Sequence, residues 1–307
     1  MSDSVHIPVL LDEVIELLNP QSNGIYVDGT LGGGGHSEAI LRSGTNITVI
    51  GMDRDKAAID RTEQRLKLNG VISGENRANG TVRFVHADYR FFGEALDMLG
   101  IEKIDGFLAD LGLSSDQLAD RNRGFSFDSD GDLDLRFDIS EGLSAAEWLA
   151  KLPEEAIADL IYGFGEERFS RRIARKIVER RENGKPVRKA NELAELVRSC
   201  VPKERNRRNP IDPATRTFQA LRIAVNRELD TLEQTLKTLP QRMKPDGVIA
   251  VISFHSLEDR IVKNVLRENE HWKVITKKPI VASEEEIQRN ARSRSAKLRG
   301  AKYVKTG

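Results

Sequence analysis

Apolar residues at Val9, Leu10, Val14, Leu17 and Leu18 recur at helical spacing, and Asn19-Pro20 ends the helix they predict. Downstream the period changes. Ile25 to Val27, Ile47 to Met52, Val82 to Val85, Ile104 to Leu108 and Val248 to Phe254 are short β-branched or apolar runs, most closed by an acid or a small polar residue. They read as strands. Helix-like stretches such as Ser37 to Leu41 and Lys56 to Leu68 lie between the first four, the alternation of a parallel sheet wound with helices on both faces. The interval between residues 108 and 248 is too long for a loop and carries helical patterns at Ala145 to Leu149, Glu154 to Ile161, Arg168 to Arg181 and Asn191 to Val201. This predicts an inserted helical domain, residues 113–212, within an α/β domain formed by residues 1–112 and 213–307. Ala214 to Leu236 reads as one helix returning the chain to the sheet, with Phe218, Leu221, Val225, Leu229 and Leu232 on a single stripe and Asp212-Pro213 as cap and first turn. Asn69 to Gly80 reads as an exposed loop.

Of 307 residues, 39% are hydrophobic and 31% charged, which suits a globular chain with a sizeable core and excludes wholesale disorder. Val248 to Phe254 falls far short of the roughly 18 residues a membrane helix needs, so no membrane association is expected. MSDSVHIPVLLDEV has neither the basic n-region nor the cleavage site of a secretory leader. The single Cys200 makes no internal disulfide and favours a reducing compartment, so the cytoplasm is the expected location. Lys+Arg and Asp+Glu balance at 48 each, yet their distribution is uneven. Arg168 to Lys189 holds ten basic residues against two acids, and Ile287 to Gly307 holds seven against none. Two Arg-rich runs on a neutral protein are candidates for phosphate contact, with Arg171, Arg172 and Arg175 in the first and Arg292, Arg294, Lys297 and Arg299 in the second. The alternative is a solvated helix face and a frayed tail.

The first predicted strand runs into Asp28-Gly29-Thr30-Leu31-Gly32-Gly33-Gly34-Gly35-His36. Successive glycines allow a tight turn and close approach to a ligand at the carboxyl edge of the sheet. The second strand ends in Asp53, 18 residues beyond Gly35, where a carboxylate can accept both hydroxyls of a ribose. Together they point to an adenosine cofactor rather than a merely flexible loop. His36-Ser37 stands where a nucleoside-triphosphate loop carries Gly-Lys-Ser/Thr. Asp28 would repel a pyrophosphate but can pair with the ammonium of a methionyl group, so S-adenosylmethionine fits better than NAD.

The fourth strand ends Ala109-Asp110-Leu111-Gly112-Leu113, with Gln117 close behind. An exocyclic base amine is a poor nucleophile because its lone pair is conjugated with the ring. A carboxylate accepting one of its N–H bonds favours pyramidalisation and takes up developing charge, which makes Asp110 the candidate catalytic residue. Otherwise Asp110 caps a turn or touches the cofactor alone. General nucleobase amino-methylases carry Asp/Asn/Ser-Pro-Pro-Tyr/Phe here, so the rest of the base pocket stays open. Asp130, Asp132, Asp134 and Glu141 mimic a calcium loop, but Leu135 replaces the required Gly and Arg136 adds a cation, so no metal is expected. His255, after the fifth strand, either touches substrate or sits beside a helix cap formed by Ser256. Phe125 and Phe127 either stack a flipped base or, the favoured reading, pack the insert against the main domain.

HIPVLLDEV (6–14), DGTLGGGGHS (28–37), ADLGLSSDQL (109–118), RGFSF (123–127), YGFGEERFSRRIARKI (162–177), PATRTFQALRIAVNREL (213–229), VISFHSLEDRIVK (251–263) and RSRSAKLR (292–299) follow one another over nearly the whole chain. In these blocks the chain resembles the RsmH (MraW) family. The resemblance implies a Rossmann-like S-adenosylmethionine-dependent methyltransferase domain with an inserted all-helical domain that recognises substrate. It implies methylation of the exocyclic N4 amine of a cytidine in the decoding region of small-subunit ribosomal RNA, within the assembled subunit. Position by position it implies that Gly34, Gly35 and His36 contact the cofactor, that Asp53 binds its ribose, that Tyr89 packs near its adenine, and that Asp110 and Gln117 complete the set. Tyr89 stands where relatives often have Phe, Asp116 and Asp132 where many have Pro, Asp212 where His is common and Ala291 where Pro is common. Two competing classes are an NAD-dependent oxidoreductase on the same fold and a nonenzymatic RNA-binding module.

Overall fold

A computed structural model describes residues 7–72, 80–114, 117–118, 120–202 and 212–305. The expected loop at 69–80 and the departure at Asp116 therefore lie partly or wholly outside the described residues. The chain divides into two compact units, residues 1–114 with 229–307, and residues 115–228.

The first unit is built on a seven-stranded sheet of order β3-β2-β1-β4-β5-β7-β6. Strands β1 (Ile25–Asp28), β2 (Thr48–Asp53), β3 (Thr81–His86), β4 (Ile104–Asp110) and β5 (Met243–Ser253) pair in parallel, as the apolar runs predict. Consecutive residues of a strand point to opposite faces. Val27, Phe107 and Val251 accordingly join one buried cluster, and Tyr26, Leu108 and Ile252 join another. Both clusters are covered by helices, which is why these strands read as continuous apolar runs rather than alternating ones. Around the sheet lie α1 (Leu11–Leu18), α2 (Gly35–Arg42), α3 (Lys56–Leu68) and α4 (Phe92–Met98). The strand order reverses between β1 and β4, and a Rossmann-like sheet opens its ligand crevice at that point, beyond the carboxyl ends of the strands. Asp28, Asp53 and Asp110 are the terminal residues of β1, β2 and β4.

Two further strands were not expected. β7 (Lys297–Tyr303) runs antiparallel between β5 and the short β6 (Trp272–Val274). The supposed frayed tail is thus an interior strand. Its Leu298 and Ala301 are fully buried, and the basic residues Lys297, Arg299 and Lys302 around them hide this from a count of charge.

The second unit packs α5 (Ala145–Lys151), α6 (Glu154–Gly165), α7 (Ser170–Glu182), α8 (Ala190–Cys200) and α9 (Ala214–Asn226). The returning helix is not continuous. It breaks at Arg227, whose φ of 53° is left-handed, and resumes as α10 (Glu228–Thr238), so that α9 belongs to the helical unit. Asn226 accounts for the break. Its buried amide donates to the carbonyls of Leu135 (2.7 Å) and Arg222 (2.9 Å) and accepts from the Phe137 N–H (2.8 Å), pinning the helix end to the preceding loop. The aromatic residues of RGFSF are internal to this unit: Phe125 stacks on Phe137, and Phe127 meets Phe218 edge-on. The remaining helices are α11 (Ser256–Glu268) and α12 (Glu284–Arg289) in the first unit. Among the described residues no helix is long and apolar enough to cross a membrane.

Candidate active site

The glycine loop is shaped by its backbone and held by its neighbours. Gly32 (φ 48°) and Gly34 (φ 72°) occupy the left-handed region, and a Cβ on Gly34 would lie 2.4 Å from Thr62 Cγ2. From α3, Thr62 Oγ1 donates to the Gly32 carbonyl (2.6 Å) and Arg65 Nε to that of Gly33 (3.0 Å). Arg65 also donates to Glu38 on α2 (2.6 Å). Sequence reasoning missed these clamps, although Thr62 and Arg65, three apart on a helix, share a face.

Asp28 differs from its expected role. It is only 1% exposed, and its two carboxylate oxygens accept from Ser37 Oγ (2.6 Å) and the Thr30 N–H (3.2 Å). Burial raises its pKa above the ordinary carboxylate value. Instead of facing an ammonium it ties the loop to the start of α2. Asp53 ties the other side, accepting from the Gly32 and Asp55 N–H groups at 2.8 Å each, and burial pushes its pKa up to about 6. Tyr89, the buried residue of a short turn (Tyr89–Phe91) whose cap is Asp88, lies so close to the loop that a Cβ on Gly29 would come within 2.9 Å of its Cβ. Gly35 abuts Pro8 of the N-terminal segment.

Asp110 completes the edge. Its N–H donates to Thr30 Oγ1 (2.6 Å), and its Oδ2 lies 3.9 Å from His36 Nδ1. The other His36 nitrogen, Nε2, is 2.9 Å from the Val9 carbonyl; a carbonyl only accepts, so Nε2 carries the proton and Nδ1 faces Asp110. Asp110 Oδ1 is buried and has no hydrogen-bond partner among the described residues. Burial raises the pKa of Asp110 to about 6, opposed by His36 and Arg292 and reinforced by Asp28 and Glu258.

His255 is itself the N-cap of α11, in place of Ser256: its Nδ1 accepts from the Glu258 N–H at 3.4 Å, while Glu258 accepts from the N–H groups of Phe254 (2.8 Å) and His255 (3.2 Å). Glu258, 2% exposed, is a further group that sequence reasoning missed; a capping-box acid was its signal.

The second Arg-rich run divides. Arg299 is 8% exposed and pairs with Asp259 (2.6 Å), which Lys297 also approaches (3.4 Å). Arg292 donates to the Leu113 carbonyl, and Arg294 is exposed. An interior cation already paired with a carboxylate is not available to phosphate, so Arg299 leaves the set of RNA candidates. The first run behaves differently: Arg171, Arg172 and Arg175 all stand on the exposed face of α7, with Arg175 only 3.8 Å from Glu154. Gln117 is buried and belongs to the helical unit. Among the described residues no cluster of His, Cys, Asp or Glu is arranged to hold a metal.

Residues 3–304 match the profile of the MraW methylase family. The chain belongs to the MraW methylase family. Among its relatives, the ribosomal RNA small subunit methyltransferase H of Rhodopirellula baltica is 47% identical over 99% of this chain and 93% of that one. The protein of the same name from Sorangium cellulosum is 48% identical over 97% and 91%. A solved rRNA methylase from Streptococcus thermophilus aligns over 96% of this chain and 94% of its own, with 11% identity and a TM-score of 0.43. As an MraW methylase the chain is an S-adenosylmethionine-dependent methyltransferase, and the oxidoreductase and nonenzymatic readings fall away.

Proposed function

We propose that this MraW methylase transfers a methyl group to the exocyclic N4 amine of a cytidine in the decoding region of small-subunit ribosomal RNA, acting on the assembled subunit in the cytoplasm. The observation that carries the reading is the buried, unpartnered Oδ1 of Asp110 at the mouth of the glycine loop. A buried acceptor without a donor costs free energy on the order of 1–3 kcal/mol, and a substrate N–H relieves it.

S-adenosylmethionine supplies an electrophilic methyl group on a sulfonium. The residues present suit it: the cradle around Gly34 and Gly35 admits no side chain, Asp53 offers a carboxylate to a ribose, and Tyr89 offers an aromatic face to an adenine. Asp110 Oδ1 accepts one N–H of the amine and draws its lone pair out of conjugation. With S-adenosylmethionine bound, Asp110 would take the proton that the nitrogen loses on methylation. His36, fixed by Val9, lies beside the other carboxylate oxygen. The exposed face of α7, with Arg171, Arg172 and Arg175, suits the RNA backbone, since phosphate contacts position while base contacts specify. Arg294 adds a further exposed cation, and His255 a polar group at the edge of β5.

The test is transfer of labelled methyl from S-adenosylmethionine to small ribosomal subunits, and in parallel to naked rRNA, from a strain lacking the enzyme. Label on a cytidine N4 in subunits is the expected result; label on neither substrate overturns the reading.

A further inference from the structure

Among the described residues, four contacts fasten the backbone of the turn after β4, residues 110–113. Asp110 donates its N–H to Thr30, Leu111 donates to the Ile252 carbonyl (2.9 Å), and Gly112, at φ 109°, lies where a Cβ would come within 3.2 Å of the Phe254 ring. Those three come from the elements flanking the sheet edge. The fourth comes from 179 residues further along, where Arg292 on the short helical segment Ala291–Ser295 donates Nη2 to the Leu113 carbonyl.

The Arg292 side chain is half-buried. Burial lowers the pKa of Arg292, with Asp110 opposing that shift. Among the described residues, the titratable groups that act on Asp110 through space are His36 from α2, Asp28 from β1, Glu258 from α11 and Arg292. Two of the four are acids, one is an imidazole, and Arg292 is the one permanent cation. We propose that Arg292 is a positioning residue for methyl transfer: it fixes the Leu113 carbonyl, and with it the turn that aims Asp110, and it supplies the charge that keeps Asp110 an acceptor for the substrate amine. This rests on Asp110 accepting the amine, as proposed above. It also moves Arg292 from the RNA backbone, where the sequence placed it, to the reacting centre.

Two measurements on the full chain test it. One is a carbon-13 NMR titration of the aspartate carboxyls, with Asp110 assigned through Asp110→Asn. The other is single-turnover methyl transfer to unmodified small subunits from about pH 5 to about pH 9. In Arg292→Met the carboxyl midpoint and the acid limb of the rate both move up by about one unit, a roughly tenfold loss of rate below the midpoint. Arg292→Lys keeps the charge and returns the limb to its wild-type position, with a lower plateau because an ammonium does not reproduce the guanidinium fork. A wild-type midpoint and limb in Arg292→Met overturn the proposal. Should that variant not fold, Arg292→Gln, which keeps a donor without charge, replaces it in the comparison with Arg292→Lys. If wild-type enzyme labels no subunits, the substrate reading fails, and the carboxyl titration still decides whether Arg292 holds Asp110 ionised.

Discussion

Two stretches of this chain have nearly the same composition and opposite fates. Ser170–Glu182 and residues 292–299 are both Arg-rich, yet the first turns Arg171, Arg172 and Arg175 outward from a helix whose Ile173, Ala174 and Ile177 form the buried stripe. The second runs from the short helical segment Ala291–Ser295 into an interior strand, where Arg299 points at Asp259 on α11. A run of charge therefore says little about partners until the period beneath it is known. In α7 the apolar residues recur at helical spacing and leave a whole face to cations. In β7 the apolar positions Leu298 and Ala301 enclose Arg299 and Gly300, and the buried cation finds a partly buried acid instead of water.

The largest effect expected from this contrast is on stability. Burial alone would raise the pKa of Asp259, but Arg299 and Lys297 outweigh it and hold the carboxyl below its usual range. Arg299→Ala leaves that acid in place without its main partner and should cost about 3 kcal/mol in denaturant unfolding. A loss indistinguishable from zero would put β7 in the same class as the solvated face of α7.

Next comes the other interior charge. Asp110→Asn should slow single-turnover methyl transfer by about ten- to a hundredfold, on the order of 1.5–3 kcal/mol, while RNA binding is unchanged. A wild-type rate would remove Asp110 from the chemistry. For the intact enzyme the rate should fall as pH drops through about 6, where the carboxylate becomes protonated.

The same substitution should have a smaller, opposite effect on folding. The pKa of Asp110 in the folded state is raised, so its protonated form favours the native protein; that contribution is complete below the ordinary value of 3.8 and lost as pH rises through about 6. At neutral pH Asp110→Asn should therefore be more stable by about 1 kcal/mol, after discounting for a side chain 17% exposed. A calorimetric scan showing destabilisation at pH 7, or no difference that fades toward pH 4, would refute this.

Smallest in stability terms is the triple replacement of Arg171, Arg172 and Arg175 by Gln, which should leave Tm unchanged. Its effect belongs to RNA: the slope of log affinity against log salt should flatten by roughly two to three units, at about 0.7–0.9 per phosphate contact. A wild-type slope would show that α7 presents a solvated face and nothing more.

The parallel part of the sheet was legible because β1, β2, β4 and β5 carry apolar runs ending in Asp or Ser, a pattern that burial on both faces imposes. β7 was not, because three basic residues interrupt it. The break at Arg227 was equally hidden: the stripe Phe218, Leu221, Val225, Leu229 and Leu232 runs straight through it, and only the hydrogen bonds of Asn226 reveal a stop. At the site, Asp53 and Asp110 could be read as strand ends. Asp28 could be found but not interpreted, since its burial depends on Ser37, nine residues along. Thr62, Arg65 and Glu258 act from helices whose orientation toward the loop no local pattern specifies.

The position of β7 also sets an order of assembly. It lies between β5 and β6 but follows both in the chain, so until residues 297–303 leave the ribosome the edge of β5 has no partner on that side. An unpaired edge of that length invites pairing with another chain. Truncation before residue 297 should therefore yield not a smaller methylase but an aggregating one, and the strand that closes the sheet enters together with the segment that delivers Arg292 to Leu113. For a nascent chain, completing the fold and completing the reacting centre are one event.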